Sequence, residues 1–164
     1  MSIIGIVAVD RKSAIGKGGK LPWHYSADLK FFKVTTSGNA CVMGHNTWLT
    51  IGKPLPNRLN LILSRRSEIE LQPSLLTLRS PDDVLSLYKY LGCDLFVIGG
   101  GKIYTTFLSH IEKWIVTEVP LTVEGADTFM PANYLEGFKV VNSIELGEGL
   151  VVRFYERPGL ELIA

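Results

Sequence analysis

Asp28 stands among large apolar residues. Wound as a helix at about 100° per residue, Ser26–Thr36 brings its carboxylate within the arc of Leu29, Phe31 and Phe32, with Lys30 and Lys33 on the other side. A plain account exists: the helix dipole favours an acid in the first turn, capped beside Ser26. The apolar company argues for a sharper one. A carboxylate on a core-facing stripe is costly unless paired or protonated, so it is expected to meet a ligand with matching donors, such as a cationic or amidine-like heterocycle.

Two further segments suit phosphate. Gly99-Gly100-Gly101 follows the apolar run Leu95–Ile98 and precedes a helical stretch, so main-chain amides there can approach an anion closely. The third glycine of the dinucleotide fingerprint is absent, as is an acid about 20 residues on. That leaves tight packing and nucleotide binding both open for this turn. Gly44-His45-Asn46-Thr47 repeats the arrangement with a hydroxyl at Thr47. Two such turns in one small sheet favour a pyrophosphate.

Ser64-Arg65-Arg66 closes the run Leu59–Leu63 and offers guanidinium groups to a phosphate monoester, or forms a solvated loop. Arg58 lies between a turn and that run, placed either for a surface ion pair or for a fork onto a ligand carboxylate. Gly16–Trp23 is glycine-rich and polar and ends in a large aromatic, as a mobile lid or a plain connection would. No Ser-His-Asp or Cys-His grouping accompanies His24, His45 or His110, which argues against nucleophilic hydrolysis.

The elements that must position these residues alternate. Apolar runs at Ile3–Val9, Ala40–Met43, Leu59–Leu63, Leu75–Leu78, Leu95–Ile98 and Trp114–Val119 predict strands buried on both faces. Between them, Ser26–Thr36, Thr47–Ile51, Pro81–Leu91 and Lys102–Leu108 have helical spacing, Ser80 and Pro81 being suited to open the third. Phe138–Leu146 and Leu150–Glu156 flank Gly147-Glu148-Gly149 and predict a hairpin. The expected fold is α/β: one domain over 1–157 with a mixed, mostly parallel central sheet, an antiparallel C-terminal hairpin and about four flanking helices. Residues 158–164 form a tail.

Composition narrows the classes. The chain has 164 residues and a net charge of +1, which suits a single core and makes neither nucleic acid nor an acidic membrane surface a natural partner. Cys41 and Cys93 have no C-x-x-C spacing and no histidine pair nearby, so no metal site or disulfide framework is indicated. Ile3–Val9 lacks preceding basic residues and ends at Asp10-Arg11-Lys12, which reads as a strand, not a signal peptide or membrane span. A monomer in the reducing cytoplasm is the expectation.

Taken in order, Ile6-Val7-Ala8-Val9, Ile15-Gly16, Leu21-Pro22-Trp23, Asp28-Leu29-x-x-Phe32, Val42-Met43-Gly44, Thr47-Trp48, Pro54-Leu55-Pro56-x-Arg58 and Ile98-Gly99-Gly100-Gly101-x-Ile103-Tyr104 resemble the dihydrofolate reductase family. The likeness covers nearly the whole chain, and Leu-Pro-Trp followed by a helical Asp is its most telling part. It implies reduction of 7,8-dihydrofolate to tetrahydrofolate by hydride from NADPH, in support of one-carbon metabolism and nucleotide synthesis. Hydride would pass from nicotinamide C4 to pterin C6, while N5 takes a proton from water. Asp28 would hold the 2-amino and N3 positions of the pterin, supported by the Thr117 hydroxyl.

The resemblance assigns further roles. Ile6, Val7, Leu29, Phe32, Ile51, Leu55 and Ile98 would line the folate pocket, with Arg58 on the glutamate α-carboxylate. Ala8, Ile15, Gly16 and again Ile98 would meet the nicotinamide end, and Trp23 would close on the site. The pyrophosphate would rest on Gly44, His45, Asn46 and Thr47 and on Gly99, Gly100, Gly101, Lys102 and Ile103, with a cis peptide expected between Gly99 and Gly100 and Tyr104 close by. Leu63, Ser64 and Arg65 would complete the cofactor site.

One departure stands out: His45 occupies a place where the family often has an arginine or lysine, which leaves Ser64, Arg65 and Lys102 to hold the 2′-phosphate. A pyrimidine reductase of the same fold, or a nucleotide-binding protein without turnover, remains an alternative at this point. Trp23, Asp28 and Arg58 together speak against the former.

Overall fold

The computed structural model describes residues 1–66 and 72–159. Eight strands form one sheet, in the order β5-β4-β3-β6-β1-β7-β10-β9. They are β1 (Ile3–Val9), β3 (Ala40–Gly44), β4 (Leu59–Leu63), β5 (Leu75–Leu78), β6 (Leu95–Val97), β7 (Lys113–Glu118), β9 (Lys139–Gly147) and β10 (Leu150–Glu156). From β5 to β7 every pairing is parallel; β10 then runs antiparallel to both β7 and β9. A parallel strand with helices on both faces must be apolar all along, and β1, β3 and β6 are buried almost throughout. Edge strand β9 is largely exposed; its turn closes on Glu148-Gly149, with Leu150 paired to Gly147.

Side-chain alternation splits the core. Ile3, Val7 and Val9 of β1 join Val42, Leu61, Val97, Trp114 and Val116 in the larger cluster, with Val84, Ile103 and Phe107. The last three come from α3 (Pro81–Leu91) and α4 (Gly101–Phe107). Ile4 and Ile6 face the other way, with Phe96, Ile115, Phe31, Phe32 and Leu55. That side is covered by α1 (Ser26–Thr36) and, beside Met43 and Ile62, by α2 (His45–Ile51), whose Trp48 is buried. Ser80 caps α3 by accepting from Asp83 N at 3.2 Å, with Pro81 opening the helix as its sequence predicts. Ser26 does not cap α1: the cap position is Tyr25, with no side-chain bond.

Two short strands had no signal in the sequence. β2 (Ala14–Gly16) pairs antiparallel with β8 (Thr128–Phe129), outside the main sheet. Residues 11–24, which include the predicted lid, are thereby fastened to the loop after β7. Among the described residues no helix is long and apolar enough to cross a membrane. Nor does any group of His, Cys, Asp and Glu there have the arrangement to hold a metal ion. The predicted tail lies partly outside the described residues.

Candidate functional site

Parallel strands deliver their carboxyl ends to one edge of the sheet, and ligands of such sheets lie where the strand order reverses. Here β6 returns between β3 and β1. The predicted residues gather at that edge: Ala8 on β1, Gly44 at the end of β3, Leu63 at the end of β4 with Ser64-Arg65 after it, Ile98 and the glycines after β6, and Thr117 near the end of β7.

Asp28 sits in the first turn of α1 and is partly buried. Burial raises its carboxyl above the usual carboxylate range, while the Thr117 hydroxyl pulls the other way; the two groups stand short of a full hydrogen bond. Thr117 is 3% exposed and pairs in register with Ala8. No cationic side chain among the described residues forms an ion pair with Asp28. An acid half out of water without a cation partner is suited to a ligand that brings donors of its own.

Phe32 of α1, Leu55 before β4 and Ile98 after β6 pack on the core that includes Ile6, and Ile51 joins Leu55 and Ile98 beside Trp48. Leu29 is 47% exposed and contributes an open apolar surface at the same helix. Val7 differs from expectation: its side chain belongs to the opposite face, in the α3–α4 core, so only its main chain is on offer to a ligand.

Arg58 is 5% exposed, a buried cation. Nε donates to Pro56 O at 2.9 Å and Nη1 to Thr36 Oγ1 at 3.0 Å, with the Phe32 ring beneath at 5.8 Å. Among the described residues no carboxylate lies within ion-pair reach. A guanidinium carries five N–H donors, so most of the fork is unanswered by the protein.

The two glycine turns touch each other. Gly44 N donates to Gly99 O at 3.0 Å, and Gly44 and Gly100 occupy the cap positions of α2 and α4. The Gly99–Gly100 peptide is cis. Gly99 has φ +112°, and a Cβ there would stand 3.2 Å from the Tyr104 ring, so this position takes glycine on both counts. His45 Nδ1 is buried without a partner. Ser64 accepts from Arg66 N at 3.1 Å, with Arg65 exposed beside it. Tyr104 serves inward: 3% exposed, it donates its hydroxyl to Ile6 O at 2.7 Å and braces the turn against β1.

Trp23 is 9% exposed and packs on Val119 and Leu150, with Ala8, Tyr25 and Ala27 around it. Its Nε1 has no partner in the protein. The segment before it is tied to α2, where Thr50 Oγ1 donates to Gly19 O at 3.4 Å, and at three places to the loop after β7. Asp127 N donates to Gly16 O at 3.2 Å, Gly18 N to Asp127 Oδ2 at 2.8 Å, and Lys17 Nζ to Glu124 O at 2.9 Å.

Sequence reasoning missed the residues that hold this frame. Asp10 and Asn60 bind main chain, and Asp127 and Thr36 bind main chain and one further side chain each, Thr128 and Arg58; only Asn60 carried a signal, as a polar residue inside the apolar run Leu59–Leu63. Two open grooves, one beside Phe129–Glu136 and one between Asp10 and Tyr155, contain none of the predicted site residues.

Residues 2–150 match the family model described as dihydrofolate reductase. A dihydrofolate reductase of Staphylococcus haemolyticus is 36% identical over 142 residues, 87% of this chain and 83% of that protein. One from Bacillus subtilis (strain 168) is 36% identical over 138 residues, 84% and 80%. Among solved structures, dihydrofolate reductase from Enterococcus faecalis complexed with NADP(H) and RAB-propyl superposes with a TM-score of 0.87 at 28% identity, covering 96% of this chain and 97% of that one.

Proposed function

The chain belongs to the dihydrofolate reductase family, and we propose that the cleft at the carboxyl edge of its sheet is where it performs the family's reaction. It reduces 7,8-dihydrofolate to 5,6,7,8-tetrahydrofolate, and NADPH supplies the hydride when bound. The cleft suits that cofactor: two abutting glycine turns present amides and helix starts, and the buried Nδ1 of His45 awaits a partner. Gly44, His45, Asn46 and Thr47 would hold the pyrophosphate with Gly99–Ile103, while Leu63, Ser64, Arg65 and Lys102 serve the adenosine 2′-phosphate end. Ala8, Ile15, Gly16 and Ile98 flank the nicotinamide.

Asp28 holds the 2-amino and N3 edge of the pterin, with Thr117 beside it. The observation that carries this reading is the partly buried Asp28 carboxyl itself, raised by burial and lacking any cation partner among the described residues. Such a group acts by orienting the ring and favouring protonation at N5, whose proton comes from water. Phe32, Ile51, Leu55 and Ile6 exclude bulk water from the ring, and Trp23 closes over it. Arg58, with most of its donors unanswered, takes the α-carboxylate of the glutamate tail. A monomer and the cytoplasm are the state and the compartment we infer.

The test is NADPH oxidation by the purified protein, followed by absorbance with dihydrofolate present and then omitted. Oxidation that requires dihydrofolate is the expected outcome. Tight NADPH binding without it would overturn the reading.

A further inference from the structure

Asn60 is the most heavily bonded side chain near the cleft, yet it touches no proposed ligand. It lies on β4 with 0% exposure. Its Oδ1 accepts from Leu55 N at 2.8 Å, and its Nδ2 lies 3.1 Å from Leu55 O, 3.0 Å from Arg58 O and 3.3 Å from Ser74 O. One amide thus satisfies both main-chain groups of Leu55, as a neighbouring strand would, and reaches the carbonyl of Arg58 as well. The segment it grips, 53–58, has no regular structure of its own and contains Pro54 and Pro56. Besides Asn60, the rest of the fold reaches the main chain of this segment at Asn57 O, which accepts from Gly38 N at 2.8 Å.

The head of Arg58 is fixed from the other side. Thr36, also 0% exposed, accepts from Arg58 Nη1 at 3.0 Å and donates to Phe32 O at 2.8 Å. The guanidinium is therefore clamped between the end of α1 and a loop that Asn60 bonds at Leu55 and at Arg58. A buried cation without an internal carboxylate is free to settle elsewhere unless its backbone and its head are both restrained.

We propose that Asn60, together with Thr36, is a positioning residue that sets Arg58 for the carboxylate of the substrate's glutamate tail and leaves the chemistry at the pterin untouched. The proposal rests on the reading of Arg58 given above. Asn60 fixes where the fork stands, and Thr36 fixes how it is turned.

The experiment compares two substrates in each variant: dihydrofolate, and 6-methyl-7,8-dihydropterin, which lacks the tail. In Asn60→Ala and Thr36→Val the KM for dihydrofolate should rise about tenfold, the loss of a buried polar restraint on a charged hydrogen bond, with kcat little changed. The KM for the methylpterin should stay at its wild-type value. A general loosening of the cleft would raise both, and that outcome overturns the proposal, as does no rise for either substrate.

Thr36→Val removes a single hydroxyl and keeps its volume, so it carries the test should Asn60→Ala not fold. Arg58→Leu separates the two readings. If it leaves the ratio of the two KM values at the wild-type level, the role of Arg58 falls and positioning falls with it. If it collapses that ratio while Asn60→Ala and Thr36→Val do not, only positioning falls. Combining Asn60→Ala with Arg58→Leu should add nothing to Arg58→Leu alone, since the first acts through the second.

Discussion

Asp10 and Asp28 flank the glycine-rich segment at its two ends, and their surroundings are opposite. Asp10, 4% exposed, accepts from Lys12 N, Ala14 N and Val123 N, each at 2.8 Å. Burial works to raise its carboxyl, but the main-chain bonds from Val123, Ala14 and Lys12 outweigh it and hold it below the usual range. Asp28 has only the hydroxyl of Thr117 to offset burial and is raised. Where the protein answers a buried polar group with its own atoms, the group builds the frame; where it does not, the group is kept for a ligand. Arg58, His45 and Trp23 belong with Asp28 by this criterion. Trp114 Nε1, likewise without a partner, lies in the opposite core, where contacts with Tyr104 and Tyr134 hold the ring.

The contrast is most sharply broken at Asp28. Asp28→Asn should lower turnover on the order of 10²-fold or more while leaving NADPH affinity near normal. Its fold should respond the other way. A carboxyl raised on folding binds its proton more tightly in the native state, so its contribution is complete below the ordinary carboxyl range and lost as pH rises through the raised value. Above that raised value the ionised Asp28 costs stability, and there the asparagine should melt higher. Near-normal turnover near neutral pH would refute the assigned role.

Asp10→Asn should do the reverse. An amide offers one oxygen, so either the bonds within the turn or the bridge to Val123 is lost. Charge-assisted bonds contribute about 1.5–3 kcal/mol each, and for a chain of this size the melting temperature should fall by about 5 °C. The sign with pH is also opposite to that of Asp28: stability from a lowered carboxyl is present above its unfolded value and disappears as pH falls through the folded one. Melting curves of wild type and variant should therefore converge in acid.

His45 gives a smaller effect. Its Nδ1 is buried without a partner, and the pyrophosphate proposed beside it is common to NADPH and NADH, so His45→Ala should weaken the binding of both cofactors alike, by several-fold in a fluorescence titration. Unchanged affinity for both would assign the grip to the two glycine turns alone. Smallest is Asp127→Asn. Its carboxyl is held below the usual range chiefly by Gly18 N, but it is fully exposed. The variant should melt like wild type and differ only in faster protease cleavage within 16–20.

Much of this was legible in the residues. The Val- and Ile-rich runs marked the parallel strands because burial on both faces leaves little room for polar interruption, Asn60 and Thr117 being exceptions, and α3 announced itself through Ser80 and Pro81. Asp28, Arg58 and the two glycine turns could be picked out because their types are unusual where they stand. The frame could not. β2 and β8 are too short for alternation to register, and Asp10 binds main-chain N–H groups that have no side-chain signature. Tyr104 and Val7 were expected at the ligand, but direction along a helix and parity along a strand turn the hydroxyl of one and the side chain of the other inward.

Gly5 and Trp114 carry a different lesson. They are register partners on β1 and β7, and a Cβ on Gly5 would overlap the six-membered ring of Trp114, which is 0% exposed. The indole lies in the space that the missing methyl leaves. Neither position can change alone: a larger residue at 5 needs a smaller one at 114, and a smaller residue at 114 opens a void that only a larger one at 5 can fill. Drift of this sequence is thus confined to paired replacements here, so the two sites form an evolutionary lock across β1 and β7, on the strand that itself carries Ile6 and Ala8.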